Sequence, residues 1–368
     1  MIIESVVLRH VRMPLRSTFE ISSSRSDDRD CILLEVIADG VVGYGECVAD
    51  RDPGYSYETV GTSWHILKEF LIPAVLGRDY IEPGDVQNTA QFIKGHLMSK
   101  AAVEMALWDI KGKQEGRSLR NLLGGIRSKV DVGVSVGIQA SPQVLVNTVQ
   151  DYINQGYRRI KIKIKPQKDI EETQAVRKAF PDILLQVDAN SAYTLESADT
   201  LKPLDDLNLL LIEQPLNEDD IIDHAQLQSK FRTAICLDES ILSVRHARQA
   251  LDLGACRIIN IKPGRVGGIS QAMLIHDYCY KRNIPVWCGG MLETGVGRAA
   301  NLALASLPGF TLPGDISATE RYYFEDITQQ WFILNSDSTI TVPDKPGLGI
   351  DIDMKNLNKY TLEKLALP

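Results

Sequence analysis

The feature that most constrains this chain is a recurring strand tip. From about residue 130, a short apolar run ends in a polar or glycine-containing tip and leads into a helical stretch, and the unit returns about every 25 residues. The last polar residues on the middle runs are Lys163, Asp188, Glu213, Asp238 and Lys262, separated by 25, 25, 25 and 24 residues. The runs are VGVSVGI (132–138), RIKIKI (159–164), LLQVDAN (184–190), LLLIEQP (209–215), AICLDES (234–240), RIINIKP (257–263), PVWCGG (285–290) and, less regular, FTLPGDI (310–316). Strands this apolar are buried on both faces, as in a parallel sheet covered by helices. An open doubly wound sheet gathers its site at one switch point, whereas polar tips on nearly every strand favour a closed barrel. The predicted fold class is α/β, a (β/α)7β TIM-like barrel.

The flanks read differently. Residues 1–125 carry alternating strand-like segments (SVVLRHVRM, CILLEVIADG) and then a helical region containing AAVEMALWDIKGKQ, which predicts an α+β capping domain. The barrel is assigned to 126–318, and the tail 319–368, with its strand-like WFILNSDSTITVP, is expected to pack back on the cap. Two long polar stretches, 16–30 and 49–58, have the character of active-site lids. Gly43 and Gly45 are not followed by a helix bearing a further glycine, so no dinucleotide fingerprint is present.

Charge narrows the chemistry. A formal net charge of −8 gives no basic footprint for nucleic acid or an anionic membrane, which leaves small-molecule chemistry. The six cysteines lie far apart without a C-x-x-C pair and read as reduced, mostly buried thiols. No secretory n-region and no long apolar run is seen, so the expected location is cytoplasmic. A symmetric homo-oligomer is expected on general grounds.

In a barrel, equal gaps bring the five tips to neighbouring strands at one height, at the C-terminal mouth. An acid at a single strand end is ordinarily a solvated loop residue or a helix cap. Asp188, Glu213 and Asp238 differ in that each follows a hydrophobic run, where an unpaired charge is costly. Three converging carboxylates repel one another unless a cation lies between them, and oxygen ligands suit Mg²⁺ or Mn²⁺. No organic cofactor is called for.

Lysines flank this acid set. Lys262 and the ladder Lys161, Lys163 and Lys165 fall on opposite sides of it, because three strands lie between them. Neighbouring cations disfavour an ammonium and can turn a lysine into a usable base, while a second lysine two residues back supplies positive field. The working pair on the ladder is 161/163 or 163/165, and Lys163 belongs to both.

With these residues assembled, the chain resembles the enolase superfamily and, within it, the muconate-lactonizing-enzyme group. GYRRIKIKIKP, INIKPGRVGGI, GGMLETGVGRAANLALASLPG and LPGDISATERYY are similar to the o-succinylbenzoate synthase / N-succinylamino acid racemase family. The resemblance spans nearly the whole chain. It implies that Asp188, Glu213 and Asp238 hold Mg²⁺, that Lys163 and Lys262 face each other across the substrate, and that Lys161 tunes Lys163. It implies abstraction of a proton α to a carboxylate, either as dehydration to o-succinylbenzoate in menaquinone synthesis or as racemisation of an N-succinylamino acid. The substrate would then be a small carboxylate with a succinyl arm. Ser135, Asn190, Gly290 and Met291 are candidate liners of its pocket, and Arg265 a candidate for lowering the Lys262 pKa.

Other readings stay open. A mandelate-racemase-like enzyme would need a histidine beyond strand six, and none of the six histidines falls on a barrel tip. A dipeptide epimerase would carry paired aspartates near strand eight, where this chain has Asp315 and then Ser317. A cycloisomerase of the same group, a Schiff-base aldolase built on Lys262, and a metal- and anion-binding barrel without catalysis complete the alternatives.

Overall fold

The computed structural model describes residues 1–368. Its strands are β1 (Ile3–Glu20), β2 (Arg25–Ala38), β3 (Val41–Cys47), β4 (Lys129–Asp131), β5 (Val134–Val136), β6 (Arg159–Lys163), β7 (Leu184–Asp188), β8 (Ile212–Glu213), β9 (Ile235–Leu237), β10 (Ile258–Ile261), β11 (Val286–Cys288), β12 (Thr339–Thr341) and β13 (Thr361–Leu367). Strands β5 to β11 form one parallel sheet in chain order, with helices between most successive strands. Alternation along each strand separates two environments. Ile160, Ile162, Leu185, Val187, Ile235, Leu237, Ile259 and Ile261 join the large apolar layer beneath the helices. Leu211, Cys236, Ile258 and Trp287 form a separate small plug from the alternate positions of four strands.

The eighth run, FTLPGDI, is not a regular strand. It touches its two neighbours through single bridges, Phe310 to Val286 and Gly314 to Val132. Thr311 and Asp315 donate N–H bonds to Val286 and Cys288, and Gly314 donates to Asp131, so the segment still links the two edges of the sheet. Pro313 has no N–H to give, which limits how far a ladder can run here.

The cap is a four-stranded antiparallel sheet in the order β13-β1-β2-β3. Both faces of β2 are buried: Cys31 and Leu33 pack with the barrel-side core, Ile32, Leu34 and Val36 with the interior of the cap. The polar stretch 16–30 is mostly hairpin rather than loop. Phe19 pairs with Ser26 and Glu20 with Arg25, leaving a turn over Ile21–Ser24. Polar strand ends that project past the core carry no apolar period and look like loop in the sequence. In the tail, β12 pairs with β4 and β13 joins β1. The stretch 331–335 is irregular.

The helix Leu97–Glu115 is buried along almost its whole length and lies against β3. Here the two glycines of GYGE have their purpose. A Cβ on Gly45 would stand 1.9 Å from the Ala102 carbonyl oxygen, and one on Gly43 would stand 2.3 Å from that of Ala106. Only glycine lets strand and helix backbones approach this closely.

One carboxylate ties cap to barrel. Glu46, fully buried at the end of β3, accepts from Thr294 N–H at 3.1 Å, Thr294 Oγ1 at 2.6 Å and Gly297 N–H at 2.9 Å. These donors open the helix Gly295–Ala305, whose first N–H groups need acceptors. Asp326 Oδ1 accepts from Gly295 N–H at 3.0 Å at the same helix end. All six cysteines are free and buried. No helix is long and apolar enough to cross a membrane.

Candidate active site

Because isoleucine and lysine alternate on β6, burying Ile160 and Ile162 under the helices turns Lys161 and Lys163 into the barrel. Register then sets their neighbours: Lys163 lies opposite Asp188, and Asp188 opposite Glu213. Asp238 does not continue in direct register. Glu213 pairs with Cys236, so Asp238 is two residues further along its strand. Ile258 also pairs with Cys236, which sets Asn260 beside Asp238 and carries Lys262 two residues further again. Equal spacing in the chain thus becomes a rising register, as the stagger of tilted barrel strands requires.

Four of the five predicted tips are fully or nearly fully buried, and Lys163 is only slightly exposed. Lys163 Nζ lies 2.6 Å from Asp188 Oδ2 and 2.7 Å from Asn190 Oδ1. Lys161 Nζ meets three carboxylates: Asp188 at 3.0 Å, Glu213 at 2.9 Å and Asp315 at 2.6 Å. Lys262 Nζ is 2.7 Å from Asp238 Oδ2, and Arg265 holds the other Asp238 oxygen. Lys165 turns away to Glu20 on the capping hairpin, 3.1 Å distant. The third lysine therefore binds the cap while the first two face the site.

The charges are unevenly tuned. Burial pushes the Lys163 ammonium down and Lys161 pushes the same way, against Asp188. Burial also acts downward on Lys262, but Tyr55, Glu239 and Glu213 outweigh it and raise this pKa well above the usual lysine range. Lys262 was expected to be lowered by Arg265. Instead the guanidinium is spent on Asp238, the Ile241 carbonyl and the Asn260 carbonyl. Burial alone would raise Asp188, yet Lys161 and Lys163 hold it far below the carboxylate range. Glu239 is pushed up to about 7, by burial first and then by Asp188.

The donor set suits a hard cation. Asp188, Glu213 and Asp238 stand on adjacent strands and offer oxygen only, and Glu239 next to them keeps a buried Oε2 with no hydrogen-bond partner. As placed, no three acidic, histidine or cysteine side chains close into a cage, because the lysines and Arg265 occupy their oxygens. The residues fit a divalent ion that would take over part of this charge compensation.

A cavity above the site is lined by Ser135, Asn190, Gly290 and Met291, together with Phe19 and Ile21 from the hairpin and Tyr55 from loop 49–58. The Ser135 Oγ is buried and unpartnered. Sequence reasoning missed three residues here. Tyr55 reaches the site from an irregular loop, where no period marks it. Arg159 is fully buried beneath Lys161 and pairs with Asp315 at 2.7 Å. Gly289 was passed over for Gly290, yet a Cβ on it would stand 2.3 Å from Asn260 Oδ1 and 2.6 Å from Lys262 Cε.

Comparison with known proteins agrees with this architecture. The family model for the mandelate racemase / muconate lactonizing enzyme N-terminal domain matches residues 3–124, and the enolase C-terminal domain-like model matches residues 144–356. The chain is 50% identical over 360 residues to an o-succinylbenzoate synthase of Geobacillus stearothermophilus, covering 98% of this chain and 96% of that one. It is 48% identical to an N-succinylamino acid racemase of Amycolatopsis sp, covering 99% and 98%. An enolase-superfamily member from Listeria innocua superposes with a TM-score of 0.95 at 44% identity, covering 100% and 99%. Strand topology and these matches together make the chain an enzyme of the enolase superfamily, in its muconate-lactonizing group.

Proposed function

We propose that this enzyme removes a proton α to a substrate carboxylate, acting as an o-succinylbenzoate synthase, an N-succinylamino acid racemase, or both. The observation that carries the proposal is that Lys163 on β6 and Lys262 beyond β10 line the same cavity, with the acid strands β7, β8 and β9 lying between β6 and β10 in the sheet. Relatives bearing both activity names at 48–50% identity support it.

Asp188, Glu213 and Asp238 would hold Mg²⁺ or Mn²⁺. When bound, the ion supplies positive charge to the substrate carboxylate as proton loss makes it electron-rich. Lys163, its ammonium disfavoured by burial, takes the α-proton on one face; Lys262, kept protonated by its acidic neighbours, gives one on the other. Racemisation follows when the two exchange roles. In dehydration Lys163 removes the proton, the Lys262 ammonium stabilises the negative charge that builds on the carboxylate, and that electron pair then expels the hydroxyl group, which takes a proton from Lys163 and leaves as water. Asn190 orients Lys163, and the unpartnered Ser135 Oγ is available to the succinyl arm.

Asp315 bears on the substrate nitrogen. A dipeptide epimerase would use paired aspartates here to receive a free ammonium, whereas this chain has the single Asp315, whose two oxygens Arg159 and Lys161 already engage. That favours an acylated, neutral nitrogen.

The test is NMR of N-succinyl-L-phenylglycine in D₂O with enzyme and Mg²⁺, with and without chelator. Chelator-sensitive α-proton exchange with racemisation is expected. Exchange without racemisation would leave the synthase role alone, and no exchange would sink the assignment.

A further inference from the structure

We infer that Tyr55, carried by capping loop 49–58, is a positioning residue for Lys262 and not for Lys163, so that the two faces of the site depend on different parts of the fold. This rests on the two-lysine reading above. Lys163 is held from within the barrel, by Asp188 and Asn190 at the tip of β7. The capping hairpin also reaches this side, where Ser22 Oγ donates to the Asn190 carbonyl at 3.1 Å and Glu20 takes Lys165, but neither residue bonds the Lys163 ammonium, whose partners are both on the barrel. Lys262 has one barrel acceptor, Asp238, and its other partner is the Tyr55 hydroxyl at 3.0 Å. The Tyr55 ring centre lies 4.4 Å from Lys262 Nζ, within cation–π range.

A lysine ammonium sits on a flexible four-carbon stem, and one acceptor leaves it free to swing. The phenol removes that freedom: its ring covers one side of Nζ, its hydroxyl accepts from it, and the same hydroxyl donates to Asp238 Oδ1 at 3.1 Å. The loop that delivers Tyr55 is fixed at both roots by the cap. Arg29 on β2 donates to the Val48 carbonyl at 2.6 Å and lies 3.3 Å from Asp50. Glu58 accepts from Met98 N–H at 2.9 Å and Ser99 N–H at 3.3 Å, at the start of the helix Leu97–Glu115. Tyr55 is thus held between two anchors that never touch Lys163.

The experiment uses full-length Tyr55→Leu and Tyr55→Phe variants with Mg²⁺, following α-proton exchange in D₂O separately from N-succinyl-L-phenylglycine and its D enantiomer. Lys262→Ala identifies the enantiomer whose proton Lys262 takes. For that enantiomer, Tyr55→Leu is expected to lower exchange at least about tenfold, while exchange from the other stays within about threefold. Tyr55→Phe keeps the ring over Nζ and should retain more of the affected exchange. Mn²⁺ titration of each variant reads metal affinity independently. Equal loss from both enantiomers, unchanged exchange from both, or a common loss that tracks weakened Mn²⁺ binding would each overturn the inference. Exchange from neither enantiomer by the wild-type enzyme would instead defeat the two-lysine reading, and the inference with it.

Discussion

Lys161 Nζ and Asp315 Oδ2 meet at 2.6 Å across the seam where the sheet lacks a regular eighth strand. Asp315 also binds Arg159, so a single carboxylate joins two buried cations of β6 to the opposite edge of the barrel. Removing one partner of a buried ion pair leaves the others uncompensated and typically costs about 3–5 kcal/mol. Asp315→Ala should therefore lower the denaturation midpoint markedly as well as slow turnover. A midpoint equal to wild type would show that the seam does not depend on this carboxylate.

The same residue gives a pH signature. Burial raises the Asp315 pKa, but Lys161 and Arg159 outweigh it and hold it below its ordinary value of 3.8. A depressed carboxylate stabilises the folded state above the unfolded pKa, and that stabilisation is lost as pH falls through the folded value. Wild-type melting temperature should drop as pH is taken from 5 toward 3, and Asp315→Asn should show a shallower acid limb. Parallel limbs would assign the acid sensitivity to other groups.

Lys163→Ala and Lys262→Ala should be complementary. Each should abolish racemisation, with rate losses on the order of 10²–10⁴, and each should spare α-proton exchange from one enantiomer. Loss of both exchanges in either variant would mean that one lysine serves both faces.

Metal binding is expected to be visible without catalysis. A ligand that binds only the folded state raises the melting temperature with concentration. Mg²⁺ should do so for the wild-type protein and much less for Asp238→Asn or Glu213→Gln. Identical Mg²⁺ responses in all three would remove these carboxylates from the metal site.

Gly289→Ala tests how closely the barrel wall fits Lys262. The added methyl would fall 2.6 Å from Lys262 Cε and 2.3 Å from Asn260 Oδ1, so the lysine must shift. A fall in turnover of about 10²-fold with near-normal melting is expected, since misplacement of about 1 Å at a reacting group has this effect. Unimpaired turnover would show that the lysine stem has room to adjust.

What the sequence reveals here follows the period of its elements. Lys163, Asp188 and Glu213 could be found because strand register converts equal spacing into adjacency. The step up to Asp238 and Lys262 was hidden, because stagger belongs to the closed sheet and not to any one strand. Tyr55 and Asp315 lie on irregular backbone, where spacing carries no direction. Arg159 shares the strand face of the lysine ladder, but only the paired Asp315 and the Trp287 plug show why a guanidinium can be buried there. Gly43 and Gly45 looked like a loop motif until the helix pressed against them was known.

The Glu46 carboxylate, with its three donors at the head of the helix Gly295–Ala305, also restricts how this enzyme can move. Swinging the cap away as a rigid body would strip that helix end of one of its two carboxylate acceptors and leave Glu46, fully buried, without these hydrogen bonds. Gly290, Met291 and Leu292 line the substrate cavity just ahead of the same helix and would be dragged with it. Substrate access is thereby left to the tips of the hairpin and of loop 49–58. The slowest amide exchange in the cap should map to β3 and the quickest to those tips, a dynamic boundary running through one domain rather than between two.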